Sequence, residues 1–147
     1  MTNPIPLLKD FPIHAQDKLR YADTDRQGHV NNSVFATLLE TGRVEVIYAQ
    51  EIGLHDPGCS FVIASLQIDF LDEVHWPGVV DIGTRVGKIG RSSVTLEQAI
   101  FQQGRCVATS RSVIVHVDTT TRRSAPLSEA AISRLSALMP TASRPAS

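Results

Sequence analysis

With 147 residues, 42% of them hydrophobic and 20% charged, the chain has the composition of one soluble globular domain. Its formal net charge of -1 offers no broad electrostatic attraction to nucleic acid or to an anionic membrane. No stretch approaches transmembrane length, and the opening Met-Thr-Asn-Pro-Ile-Pro lacks the basic region and apolar run of a signal peptide. Cys59 and Cys106 stand far apart and in no Cys-x-x-Cys pair, which favours a reducing cytoplasm over a disulfide framework.

Residues 1–12 carry three prolines and read as an extended lead-in without a core of its own. Ile13 to Ala22 alternates weakly, as a partly exposed strand does. The densest polar stretch follows, Tyr21-Ala-Asp-Thr-Asp-Arg-Gln-Gly-His-Val-Asn-Asn32. Behind it Val34, Phe35, Leu38, Leu39, Gly42 and Val46 recur at helical spacing, with Glu40, Arg43 and Glu45 off that face. This predicts a largely buried helix over roughly 33–50, with Asn31 or Asn32 as its N-cap.

Gly53, Pro57 and Gly58 mark a loop over 51–60, after which the period changes to two. Val62, Ala64, Leu66, Ile68 and Phe70 read as one face of a strand. His75-Trp-Pro-Gly78 reads as a turn into a strand from Val79 to about Ile89, and Gly90-Arg91 as the next turn. A strand from Ser92 to Gln102 carries Val94, Leu96 and Ile100 on one face. Gln103-Gly104 leads to Cys106–Val117, with Val107, Thr109, Val113, Val115 and Val117 in register. Short connections between four long strands predict an antiparallel meander. A short amphipathic helix over Ser128–Leu138 and a disordered tail over 139–147 complete the chain, leaving 13–138 as a single domain. The apolar sheet face must be covered, and one helix is too narrow to cover five strands. A homodimer, or a tetramer built from dimers, is therefore expected.

Rival chemistries for the polar stretch fail on particular residues. Asp23-Thr-Asp25-Arg-Gln27-Gly28 copies the opening of a calcium loop, but its twelfth position is Val34, where a bidentate Glu is required. The residues ahead of the two Asp are too polar for the buried strand of a phosphoryl-transfer site. Histidines 14, 29, 55, 75 and 116 form no spaced pair, so no zinc or other metal site is expected. No Gly-x-Ser-x-Gly elbow and no phosphate-binding glycine loop occurs. What survives is a carboxylate beside a helix N-terminus. Such a carboxylate can activate water or attack a carbonyl, while free N–H groups of the first turn hold the developing oxyanion. A thioester suits so modest a nucleophile, because a thiolate leaves readily.

Asp-Thr-Asp-x-x-Gly-His-Val-Asn-Asn, followed by a helix and a run of strands, resembles the hot-dog-fold acyl-CoA thioesterases of the 4-hydroxybenzoyl-CoA thioesterase-like group. The segment Asp25–Asn32 is also similar to the active-site stretch of plant acyl-ACP thioesterases, with Gln27 where those have Asn. The resemblance spans about residues 13–138 and implies an α+β fold, a sheet of about five strands wrapped around one long helix. It implies Asp25 as the catalytic carboxylate, His29 beside the thioester, and Asn32 at the helix start offering a backbone N–H to the carbonyl. Because of Gln27, the bacterial type resting mainly on the Asp is preferred to the plant mechanism. Asp23 then supports the loop. Asn31 is a candidate substrate contact, Ala64-Ser65 of a second subunit a candidate second donor, and Arg91 a candidate for coenzyme A phosphates. Arg85, Lys88, Arg122 and Arg123 could serve the same purpose, and Glu40 is a remote candidate acid.

The expected function is hydrolysis of a fatty or aromatic acyl-CoA, or of an acyl-ACP, by a cytoplasmic homo-oligomer that needs no cofactor. The alternative is a non-catalytic module that holds an acyl thioester on the same fold. A hydratase would want its Asp/His pair elsewhere.

Overall fold

The computed structural model describes residues 5–48 and 53–140. Strands β1 (Ile13–Lys18), β2 (Cys59–Phe70), β3 (Val79–Ile89), β4 (Ser93–Gln102) and β5 (Arg105–Asp118) form one antiparallel sheet, ordered β1-β3-β4-β5-β2. Helix α1 (Asn32–Ile47) lies across β1, β3 and β4, and the shorter α2 (Glu129–Ser136) packs on β3. This is the expected hot-dog arrangement. The core has two halves. Phe35, Leu38 and Leu39 of α1 meet Val80, Ile82, Ile100 and Ala108 near the start of the helix. Val46 and Ile47 meet Val86, Leu96, Ile114, Ala131 and Leu135 toward its end.

The apolar stripe of α1 is the reason it sits where it does, and Asn31 is its N-cap, with Oδ1 accepting from the Ser33 N–H at 3.2 Å. The helix ends at Ile47, and the expected continuation to 49 and 50 lies outside the described residues. Arg43, expected off the apolar face, is buried at 8% exposure. β1 stops at Lys18, short of the expected Ala22, because Tyr21–Asp23 closes into a 3-10 turn held by the Asp23 carboxylate on the Arg20 N–H.

The meander is only partly realised. β3, β4 and β5 follow one another, but β2 pairs with β5 at the opposite edge. The connection 71–78 therefore crosses the end of the sheet. It is pinned there at several points: Leu71 and Asp72 donate to the Val107 carbonyl, Arg105 holds Asp72, and Gln102 holds His75 through both backbone groups.

Two strand faces also differ from expectation. The register slips between Ile63 and Ser65, so Ala64 is a bulge residue and the strand changes phase there. The inward face of β2 is thus Phe61, Ile63, Leu66, Ile68 and Phe70, opposite His116, Ile114, Ser112, Ser110 and Ala108. On β5 these five partners are buried, while Val113, Val115 and Val117 are only half-buried on the other face. Polar Ser110, Ser112 and His116 hid the true inward face.

Both ends of the domain reach further than expected. Phe11 is buried against Phe101 beneath the Arg85 guanidinium, so the lead-in contributes to a small core of its own. Met139 is buried in the main core, and Val86 donates to the Leu138 carbonyl. Residues 141–147 of the expected tail lie outside the described residues.

Candidate active site

Residues 24–30 form a small hairpin that delivers the polar stretch to the start of α1. Thr24 pairs with Val30, the Asp25 N–H donates to the His29 carbonyl at 2.8 Å, and Gly28 turns the chain with φ near +80°. Within it the Asp25 Oδ1 accepts from the N–H groups of Gln27 (2.9 Å) and His29 (3.2 Å). One carboxylate oxygen is thereby fixed by the loop, and the other accepts no hydrogen bond among the described residues. Asp25 is exposed in the single chain.

Asp23, two residues earlier, has a different environment. It is 4% exposed, accepts from the Arg20 N–H and guanidinium, and lends its carbonyl to the Asn31 N–H. Burial opposes its charge, but the backbone and side-chain hydrogen bonds of Arg20 and that residue's charge outweigh burial and hold the carboxyl below its usual value. Asp23 is not among the residues that line the pocket of Asp25.

Asp25, Gln27, His29, Asn32 and Phe35 share a pocket of about 400 Å³ with Phe70, Asp72 and Glu73. The Phe35 and Phe70 rings meet edge to face at 5.0 Å and make its apolar wall. At the helix start, Ser33 N–H goes to the Asn31 side chain and Val34 N–H to the Asn31 carbonyl, leaving the Asn32 N–H unpaired among the described residues. One pocket is therefore lined by a carboxylate residue, by the first residue of a helix at its positive end, and by an apolar wall.

The remaining sequence candidates lie elsewhere. Asn31 is the helix cap, not a lining residue. Ala64 and Ser65 are exposed on β2, away from this chain's pocket. Arg91 sits in the β3–β4 turn, roughly 30 Å along β3 from the pocket end of the sheet, so within one chain it does not join the site. Arg85 is paired with Glu97 at 2.9 Å. The sequence reading missed Glu73 and His75. Glu73 Oε2 stands 3.2 Å from His29 Nε2 and 3.8 Å from His75 Nε2, and the two imidazoles meet edge to face. Spacing along the chain gave no sign of this cluster, because the crossing connection 71–78 creates it. The only available signal was Glu73 and His75 as polar residues at an apparent turn.

The model of the thioesterase-like superfamily matches residues 19–135, most of the chain and all of the site. The chain belongs to the thioesterase-like superfamily. A thioesterase from Thermus thermophilus, crystallised with coenzyme A and zinc, is 31% identical, with 88% of this chain and 96% of that one covered at a TM-score of 0.76. A Pseudomonas aeruginosa protein is 26% identical over 94% of this chain and 99% of that one, with a TM-score of 0.84. A predicted thioesterase from Bacillus stearothermophilus is 26% identical, covering 86% and 96%, with a TM-score of 0.78. Comparison with curated proteins returns no match. This thioesterase-like chain is a thioester hydrolase of hot-dog fold, and among its described residues no helix is long and apolar enough to cross a membrane.

Proposed function

We propose that the chain hydrolyses acyl-CoA thioesters with Asp25 as general base, in a pocket completed by a second copy of itself. The observation that carries this reading is that Asp25, its carboxylate half-anchored by the loop, and Asn32, whose N–H is unpaired among the described residues, line one pocket. In the proposed step Asp25 takes a proton from water as the water oxygen attacks the thioester carbon. The carbonyl electrons move to its oxygen, where the Asn32 N–H and the helix N-terminus hold them. Collapse of the tetrahedral intermediate breaks the C–S bond, and the proton on Asp25 returns to the departing thiolate. Phe35 and Phe70 receive the acyl group. Coenzyme A as the carrier is supported by the relative crystallised with it. The free state of Cys59 and Cys106 supports a cytoplasmic setting.

A second copy is supported by β2. It is an edge strand, and Val62, Ile63, Leu66 and Phe70 on it are between 39% and 49% exposed. Ala64-Ser65 of the partner would then supply the second donor, and Arg91 a contact for phosphate.

Asp25→Asn tests the mechanism. Thiol release from a panel of short, medium, long and aromatic acyl-CoAs should fall by about 10²–10⁴. Folding should be retained, because the amide oxygen can still accept from Gln27 and His29. Turnover at the wild-type rate would refute the role given to Asp25.

A further inference from the structure

We infer that His29, Glu73 and His75 form a three-donor site for a divalent transition-metal ion of the zinc class. The inference goes beyond thioester hydrolysis and does not depend on it. One donor atom from each residue lies within 4.8 Å of the others, the one such group among the described residues. Tetrahedral zinc with bonds of about 2.0–2.1 Å places its donors about 3.3 Å apart. His29 Nε2 and Glu73 Oε2 already stand at 3.2 Å, and His75 Nε2 is 3.8 Å from the same oxygen. A small rotation of the half-exposed His75 ring closes the set.

The backbone under these side chains is built. His29 and His75 face each other across an antiparallel bridge, secured by the Val30 N–H on the Val74 carbonyl at 2.8 Å. The buried Gln102 side chain then fixes His75 from behind, accepting from its N–H at 3.0 Å and donating to its carbonyl at 2.8 Å. Two imidazoles and one carboxylate suit zinc, cobalt or nickel, whereas magnesium prefers an all-oxygen shell. Three protein donors would leave a fourth position for water or a ligand, and two of the three, His29 and Glu73, also line the pocket of Asp25 and Asn32. An ion here would tie the 24–30 hairpin to the crossing connection, the two segments that wall the pocket.

The test is calorimetric titration of the untagged, chelator-treated chain with zinc chloride. A cobalt titration followed in the visible region checks low coordination number. Wild type should take up one zinc per chain, with magnesium failing to compete. Glu73→Gln and His75→Ala should each weaken uptake at least about ten-fold, while His14→Ala binds as wild type does. Zinc should raise the melting temperature of wild type, and at the same concentration raise that of both variants less. Both substituted side chains are more than half exposed, and melting curves without metal verify that the variants fold. No saturable uptake by wild type, or uptake undiminished in both variants, would overturn the site. Since no thioester is used, that result would leave hydrolysis standing.

Discussion

Gly42 of α1 lies directly on Gln98 of β4, so close that a Cβ built on the glycine would stand 2.6 Å from the Gln98 side-chain nitrogen. The same nitrogen donates to the Leu39 carbonyl and to Thr84 Oγ1, both at 3.0 Å. Helix and sheet are thus joined by a buried polar contact that requires a glycine. Gly42→Ala sets two effects against each other. Helix propensity favours alanine by about 1 kcal/mol. Against it, the new methyl meets Gln98, Ile82 and Thr84 at 2.6–2.9 Å, and overpacking of this kind costs about 1–3 kcal/mol in addition to the weakened hydrogen bonds. The variant should be less stable than wild type by denaturant midpoint. A more stable variant would mean that the helix can rise off the sheet at no cost.

Much of this arrangement could be read from the chain, and the failures have physical causes. The helix was legible because its period of 3.6 and its Asn cap agree, and β3 and β4 because their inward residues, Thr84 and Gln98 apart, are apolar. β5 misled because Val113, Val115 and Val117 lie on the outward face while Ser110, Ser112 and His116 point in. The Ala64 bulge carries no composition signal, and it shifts which β2 residues face the core. The crossing of 71–78 depends on Gln102 and Arg105, both distant in sequence from the residues they hold. Asp25 and the helix start were legible because they share one short segment. Glu73 and His75 were not, because only tertiary structure brings them to His29.

The clamp on that crossing gives a second prediction. Gln102→Leu preserves bulk but leaves the His75 N–H and carbonyl without their partners. The cost should be about 1–3 kcal/mol, read by chemical denaturation. Because Asp72 and Glu73 line the pocket, KM for acyl-CoA should rise as well. Gln102→Glu, which keeps the acceptor and loses the donor, should fall between the two. Wild-type stability in Gln102→Leu would show that the connection is held by its other contacts alone.

The two aspartates of the motif should separate by pH. Asp23 is held below its usual carboxyl value, so its contribution to stability is complete above the unfolded-state value. That contribution is lost as pH falls through the lower folded-state value, in a window that opens near pH 4 and extends below it. Asp23→Asn removes this dependence. At pH 7 it should cost about 1–3 kcal/mol, and its melting temperature should fall less steeply than that of wild type from pH 5 to pH 3. Asp118, also held low by the N–H groups of Thr121 and Thr120, remains in both proteins and cancels in the comparison. Parallel curves for wild type and variant would remove Asp23 from the acid response.

The uncovered edge supplies the last prediction. α1 packs chiefly on β1, β3 and β4, so the inward side chains Ile63 and Leu66 of β2 stay 49% and 39% exposed in the single chain, and Phe70 stays 48% exposed although its ring meets Phe35 of α1. A second copy would bury these residues and satisfy the open hydrogen-bonding edge of β2 at once. Leu66→Arg places a charge at the centre of that surface. Leu66 is 39% exposed in the single chain, so the protomer itself should tolerate the change. Light scattering after size exclusion should then report a dimer for wild type and a monomer for the variant. If the partner's β2 completes the pocket, thiol release should fall along with the dimer, and raising protein concentration should recover part of both. A monomeric variant of undiminished activity would confine the whole site to one chain and remove the partner from the mechanism.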